Sequence, residues 1–432
     1  MNLVKSFSIY TISGLLSKAL SFLLLPFFTN HLSQSDYGVI TLFSNSIYFV
    51  LPFMFMGIGE TLSVEYNSLT AKELPRFIST SLIFSIITFI ISLFSILFFG
   101  TFLSMLTGLN IKLLYLVCIL SGFNFFVEYV FIIFRNQHKS LHFALLSISK
   151  TVIELSVSIY LIGQCNQGAM GRINGLLISS GVCFVIILIY FFNKGYLNSS
   201  FSKNWFIIIL KRGLPTIPFF FMIFILNNSD NYFIKFFHGN KSIGVYALAC
   251  QIALVVNLIS SSFMMSFYPF FYKSLLDKHH NKILRVIFVY IFIIILSILL
   301  LFVFSPLLFK HFINEKFIDS LQYVFLLSLG QMWWAFFLII LSYLYYKKEN
   351  TKLYYLSISS IIFTITIDYF IIKQHDSINW AWANMLSFLF CFLFISYIYR
   401  KQIFFNFIFI IKQLFRFNFS DANRKRGFKL PD

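Results

Sequence analysis

The sequence predicts an all-α integral membrane protein: about 12 transmembrane helices in two six-helix bundles related by pseudo-two-fold symmetry, with inward N- and C-termini. Three observations carry this reading. Apolar runs of roughly 20 residues recur along the whole chain, the length a helix needs to cross the hydrocarbon layer. Lys and Arg gather in alternate connecting segments. A short segment after the first run returns after the seventh, at an offset near half the chain.

The apolar runs are too many for a soluble fold. Of 432 residues, 59% are hydrophobic and only 11% charged, and the mean hydropathy is +0.84. A soluble domain carries about 25% charged residues, so this chain lacks the polar surface to cover a globule in water. In lipid the backbone must satisfy its own hydrogen bonds, which makes the runs helices. A β-barrel would show runs of about 10 residues with alternating polarity, and none occur. The predicted spans are 7–28, 37–57, 78–99, 112–134, 143–163, 170–192, 213–237, 243–267, 286–309, 320–345, 354–372 and 378–399. The first run, Phe7 to Phe28, is too long for a signal-peptide core and no A-x-A-like site follows it, so it reads as a retained span. Pro26, Pro52, Pro215, Pro218, Pro269 and Pro306 sit in or beside spans, where they kink or end helices.

Orientation follows from the basic residues. With the N-terminus inside, 24 of the 33 Lys and Arg fall in inner segments and seven in outer ones; Lys18 and Lys150 lie within spans. Both termini are therefore inside and the span count is even. The same distribution accounts for the net charge of +18, so nucleic acid is not an expected partner. Residues 404–417, with Lys412 and Arg416 among aromatics, are too short and too charged to span and read as an interfacial helix held by anionic lipid.

Several kinds of chemistry lack their residues. Cys118, Cys165, Cys183, Cys250 and Cys391 form no C-x-x-C pair, and the spacing supports neither a disulfide framework nor a metal site. There is no nucleotide-binding loop, no H-E-x-x-H and no nucleophile elbow. The chain reads as no enzyme and as needing no cofactor. Transport would run on an ion gradient or on the substrate's own gradient. The 61 phenylalanines read as lipid-facing filler.

The repeat pairs Asp36-Tyr37-Gly38-Val39-Ile40-Thr41-Leu42 with Ser242-Ile243-Gly244-Val245-Tyr246-Ala247-Leu248. Gly, Val and Leu recur 206 residues apart, as do the polar residues Asn45 and Gln251. Six spans on each side make this a parallel repeat about an axis along the membrane normal, with substrate between the halves. The expected units are 1–200, 201–400 and a basic tail, 401–432.

Polar residues interrupt the spans at helical spacing. A charge at mid-bilayer costs about 2.5–3.5 kcal/mol, so such residues face a cavity or a partner. Span 1 carries Tyr10, Gly14, Ser17, Lys18 and Ser21 on one face. Span 5 carries Lys150 and Glu154 at i and i+4, within pairing distance on a helix. Span 4 has Ser121, Asn124 and Glu128; span 7 has Asn227, Asn228, Asp230 and Asn231; span 11 has Ser357, Ser360, Thr364 and Asp368. Arg172 stands near the outer mouth. The Ser and Thr residues read as helix–helix hydrogen bonding. Lys18 has no acid within one turn and reads as cavity-lining.

The residues Ser17-Lys18-Ala19-Leu20-Ser21-Phe22, Leu24-Leu25-Pro26-Phe27 and Leu32-Ser33-Gln34-Ser35-Asp36-Tyr37-Gly38 resemble the polysaccharide and O-antigen flippases of the multidrug/oligosaccharidyl-lipid/polysaccharide exporter superfamily. That family shows a basic residue in span 1, a proline near its end and an L-S-x-x-D/E-Y-G turn before span 2. Asp230-Asn231-Tyr232-Phe233-Ile234 is similar to its D-R-x-x-I segment, with Asn231 in place of Arg. Ile243-Gly244-Val245-Tyr246 and Pro269-Phe270-Phe271-Tyr272-Lys273 also look like family segments. The resemblance implies a multi-pass protein of the bacterial inner membrane that flips an undecaprenyl-pyrophosphate-linked oligosaccharide from the cytoplasmic to the periplasmic face by alternating access. It implies a cationic lumen, for which Lys18, Lys150 and Arg172 are the candidates, and coupling to H+ or Na+, for which Glu154 and Asp230 are the candidates. Implied partners are the lipid-linked oligosaccharide, membrane lipids and other polysaccharide-assembly membrane proteins. The alternatives are an O-antigen polymerase or ligase, which would need a large periplasmic loop, and a multidrug exporter of the same superfamily, whose cavity would be acidic.

Reporter fusions test the twelve-span topology. Fusions after residues 30, 105, 165, 240, 313 and 375 are expected to report periplasm, and those after 70, 140, 203, 278, 350 and 420 cytoplasm. Inverted signals at two adjacent sites overturn it.

Overall fold

In the computed structural model, residues 3–66, 69–70, 73–197, 201–277, 280–347, 349–374 and 377–400 are described. Among them the chain is helical throughout, with no strand. The helices are α1 (Leu3–Leu23), α2 (Leu25–His31), α3 (Gln34–Phe55), α4 (Ile58–Glu65), α5 (Glu73–Thr107), α6 (Ile111–Asn136), α7 (Ser140–Gly163), α8 (Gly168–Asn193), α9 (Lys203–Gly213), α10 (Ile217–His238), α11 (Asn240–Leu276), α12 (His280–His311), α13 (Leu321–Lys347), α14 (Asn350–Ile372) and α15 (Ile378–Ile398). With α1 joined to α2 and α9 to α10, they supply twelve segments long and apolar enough to cross a membrane, as the sequence predicts. The expected interfacial helix at 404–417 and the tail unit 401–432 lie outside the described residues.

Local chemistry sets the breaks. Pro26, which cannot donate to the preceding turn, stands in the first turn of α2. Pro215 and Pro218 mark the turn from α9 into α10. Pro52 lies inside α3 and Pro306 inside α12. Gly57, at φ +78°, makes the turn from α3 to α4, a conformation that suits glycine. The third span is longer than the predicted 78–99 because apolar sequence carries α5 on to Thr107 beyond a kink at Phe99. At the inner turn before α14, Glu349 pairs with Lys352 at 2.8 Å and accepts from Tyr399. These donors hold its carboxyl below the usual carboxylate range.

Helix packing repeats with a period of six spans. In the first half α1 packs on α7, α3 and α5 on α6, and α8 on both α6 and α7. In the second half α10 packs on α14, α11 and α12 on α13, and α15 on both α13 and α14. These are the same pairings six spans later, so two lobes of like construction follow each other in the chain. Between them, α3 lies against α11 and α10.

The α3–α11 seam explains the sequence repeat. A Cβ on Gly38 would stand 2.2 Å from the carbonyl oxygen of Asn240, and one on Gly244 would stand 1.8 Å from that of Gln34. Asn240 follows Gln34 by the same 206 residues that separate the glycines. The contact is therefore reciprocal, as a two-fold relation requires. Around it, Asp36 caps α3 through Ser33, whose N and Oγ donate to its Oδ2 at 3.0 and 2.6 Å. The other oxygen of Asp36 accepts from the N–H of Ala169, at the start of α8, at 3.1 Å. Tyr37 reaches across the seam to Phe317, ring centroids 5.1 Å apart. The three residues of the Asp-Tyr-Gly turn thus act separately. Asp36 ties two helices of one lobe, Tyr37 packs on the other lobe, and Gly38 lets the other lobe's backbone approach.

The segment before α13 closes over the same end. Asn314 Nδ2 donates to Asn30 Oδ1 at 3.0 Å, Lys316 Nζ donates to the Asn30 carbonyl at 3.2 Å, and Gln34 Nε2 donates to the Lys316 carbonyl. The ammonium sits at the last turn of α2, where free carbonyls favour a cation. By the distribution of Lys and Arg this end is the outer one, so the lobes are closed outside.

A methyl group at either seam glycine would push the lobes apart. Overpacking of this kind costs about 1–3 kcal/mol, roughly tenfold in a two-state equilibrium. In a Cys165→Ser background, cysteines placed at Asn30 and Asn314 are expected to cross-link readily. Adding Gly38→Ala or Gly244→Ala should lower the cross-linking rate about tenfold at unchanged expression. Equal rates would show that the glycines do not set the seam.

Candidate functional site

The first lobe offers a polar wall at mid-membrane. On α1, Ile12, Leu15, Leu16, Ala19 and Leu23 form one exposed stripe, the spacing of a lipid-facing surface. Lys18 is also exposed, about 120° around the helix from Ile12 at 100° per residue. Gly14, one turn away, has nothing within 4 Å of where a Cβ would stand. The exposed arc thus runs from the stripe through Leu15 to Lys18, and Lys18 stands at its edge beside Gly14, where the helix meets no close neighbour. It lies 15 residues from Leu3 and 13 from His31, so about 20 Å from either end. Among the described residues it makes no ion pair. Ser17 and Ser147 share a hydrogen bond of 3.3 Å that holds α1 on α7.

The pairing of the neighbouring charges differs from the expectation. Lys150 does not meet Glu154, although they are one turn apart. Its Nζ donates to Asn124 Oδ1 on α6 at 2.9 Å, and the same oxygen accepts from Ser180 on α8 at 3.0 Å. Glu154 is taken instead by Arg172: Nη2 lies 2.6 Å from Oε1, with both side chains only 15% exposed. Arg172 also donates to Ser158 Oγ at 3.1 Å and stands 5.1 Å from the Phe28 ring centroid. The physical reason is close packing of α7 on α8. A Cβ on Gly175 would meet Ser158 Oγ at 2.1 Å, and one on Gly171 would meet Ile162 at 2.9 Å. The Gly171-x-x-x-Gly175 spacing brings the helices together around Arg172, and that spacing is the available signal in the sequence. Arg172 is accordingly a helical residue in a half-buried bridge. Glu128 and Tyr48 are exposed near this wall.

The second lobe holds a buried acidic network. Asp230 is 2% exposed and Asp368 1%. Asp230 Oδ2 accepts from Tyr246 OH on α11 at 2.7 Å and from Asn384 Nδ2 on α15 at 3.0 Å. Its Oδ1 accepts from the N–H and the amide of Asn231 at 2.8 and 3.2 Å. Asp368 Oδ2, on α14, accepts from Ser229 at 2.5 Å, and the two carboxyls interact electrostatically. Oδ1 of Asp368, Asn231 and Asn384 and the hydroxyl of Thr364 are buried without a hydrogen-bond partner among the described residues. Two acids surrounded by free oxygens suit a small monovalent cation or a proton. Among the described residues no cluster of three or more His, Cys, Asp or Glu could hold a metal ion.

Helical spacing puts Asp368 in a polar stripe but does not reveal which span faces that stripe. Asn384 escapes the sequence reading altogether; an amide deep within the apolar α15 is its sign. Trp333 packs against Phe392, and Trp334 against Phe337 and Phe388.

The chain resembles proteins of known architecture. It is 22% identical over 374 residues to protein 1 of the Lsg locus of Haemophilus influenzae, covering 84% of this chain and 89% of that one. Its fold matches an inward-facing MATE family multidrug resistance transporter with a TM-score of 0.68 at 16% identity, covering 88% of this chain and 94% of that one. It also matches a MOP superfamily transporter from Pyrococcus furiosus with a TM-score of 0.61 at 15% identity, over 91% and 95% of the two chains. The fold is the one these structures share: two lobes of transmembrane helices in a multi-pass membrane protein. Residues 3–275, more than half of the chain, match the family described as polysaccharide biosynthesis protein, and the chain belongs to that family.

Proposed function

We propose that this protein flips undecaprenyl-pyrophosphate-linked oligosaccharide repeat units, of O-antigen or a related polysaccharide, from the cytoplasmic to the periplasmic face of a bacterial inner membrane. The observation that carries the reading is Lys18: an exposed ammonium about midway along the first span, without an ion-pair partner among the described residues. A pyrophosphate crossing the bilayer needs such groups, since water's screening and hydrogen bonds are lost there. Lys150, held by a neutral amide with Glu128 nearby, supplies a second positive charge. Arg172, neutralised by Glu154, offers a third only if that bridge opens. A drug exporter for organic cations would gain nothing from these lysines. The exit path through the outer seam delivers the unit to the membrane proteins that polymerise it.

The transport cycle alternates the open side of the lobes. In the outer-closed arrangement the cleft takes its charged head from the cytoplasm while the prenyl tail remains in lipid. Coupling to H+ or Na+ falls to Asp230, assisted by Asp368 and Asn384. Glu154 is the weaker candidate, since its carboxylate is already occupied by Arg172. No cofactor takes part.

Two experiments test the reading. Deleting the gene is expected to leave lipid-linked single repeat units at the cytoplasmic face; units that reach the periplasm unpolymerised would instead identify a polymerase. Lys18→Ala should insert and fold normally, because removing a charge from the membrane relieves desolvation. It should lose at least about tenfold in flipping, as a charge-assisted hydrogen bond contributes about 1.5–3 kcal/mol. Lys18→Arg should keep much activity and Lys18→Glu none. Full complementation by the alanine variant at native expression would defeat the cationic-cleft argument.

A further inference from the structure

We infer that Tyr246 couples the occupancy of the buried Asp230 carboxylate to the closure of the outer seam. The inference rests on reading Asp230 as the ion site and names the residue through which that site acts.

Tyr246 ties the acid of α10 to the seam helix α11 by a direct hydrogen bond. It lies on α11, two residues beyond Gly244, whose backbone touches the Gln34 carbonyl across the seam. Its hydroxyl donates to Asp230 Oδ2 on α10 at 2.7 Å. The side chain is fully buried, and its ring lies 5.5 Å from that of Tyr323 and 6.4 Å from that of Trp380, centroid to centroid. A ring so confined has little freedom to swing. Two residues of helix rise amount to about 3 Å, so a shift at the hydroxyl passes to Gly244 through the rigid backbone between them.

The force comes from the acceptor's charge. A hydroxyl bound to a carboxylate is held about twice as strongly as one bound to a neutral oxygen. A proton or Na+ on Asp230 cancels that charge, and the Tyr246 bond weakens or gives way. The α11 end is then released from α10, and the seam at Gly244 loosens. The groups facing Asp230 from the other elements are few. α11 presents Tyr246 and Cys250, α14 presents Asp368, and α15 presents the neutral Asn384. α3 presents Ser46 to Tyr232, on another face of α10. Of these, Tyr246 is the one that joins Asp230 to the seam helix by a hydrogen bond.

The test measures the outer gate directly. Spin labels at positions 30 and 314, in the full chain with Cys165→Ser in lipid nanodiscs, report the seam distance. The parent is expected to shift toward longer distances when K+ is replaced by Na+ or when the pH is lowered. Asp230→Asn, which keeps a neutral acceptor for Tyr246, should show the longer distances under all conditions and respond to neither cation. Tyr246→Phe keeps the ring and should keep the cation-dependent rise in thermal stability. Its seam response should fall at least fivefold. Asn384→Ala removes the other donor to the same oxygen without touching the seam helix, and should shift the cation concentration needed while leaving the full distance change. A parent-like response in Tyr246→Phe would overturn the coupling role and leave the ion site standing. A parent-like response in Asp230→Asn, or a parent indifferent to both cations, would overturn both. Short distances in Asp230→Asn would also overturn the coupling, whatever the fate of the Tyr246 variant.

Discussion

Two helices that touch backbone to backbone organise this molecule. Gly38 and Gly244 let α3 and α11 approach closer than any side chain would allow, and the other outer contacts gather around that approach. Asp36 ties α8 to the same point, Tyr37 and Phe317 fill the space beside it, and Lys316 closes over the end of α2. A membrane interior has no hydrophobic effect to drive helices together, so close approach and dispersion must do so. Small residues at the crossing are therefore the natural means of holding two lobes in contact and still letting them part.

The lobes have the same helix pairings but different electrostatic content. The first has free or singly held cations, Lys18 and Lys150, on a wall between α1, α6 and α7. The second buries the acids Asp230 and Asp368 among amides and hydroxyls. Duplicated scaffolds place corresponding helices in corresponding positions, and divergence of a few polar residues gave each its own charge. On the proposed reading the anionic head and the driving cation meet different lobes, so each can bias the lobes' relative position.

The fold was largely legible because hydropathy and basic-residue sidedness are averages over many residues. Twelve spans, their order and their offset could be read without knowing a single contact. The repeat glycines were visible too, though not that they touch. The site was less legible because it depends on which spans are neighbours. Lys150 and Glu154 lie one turn apart on one helix, and that proximity suggested a pair. The structure gives each a partner on another helix, Asn124 and Arg172, because α7 lies flush against the glycines of α8. Asp230 and Asp368 are 138 residues apart in the chain, and only the packing of α10 on α14 joins them. One-dimensional spacing sees turns of a helix and is blind to the helix next door.

The seam has a further property that follows from its atoms. A contact made by a Cα against a carbonyl oxygen uses nothing that distinguishes one amino acid from another beyond the absence of a side chain. It therefore sets no demand on the residues that line the cleft or coat the lobes. On the proposed reading, selection for a different cargo can rewrite those walls, one substitution at a time, without altering the seam. A transporter built this way is a mechanical chassis with an exchangeable lining.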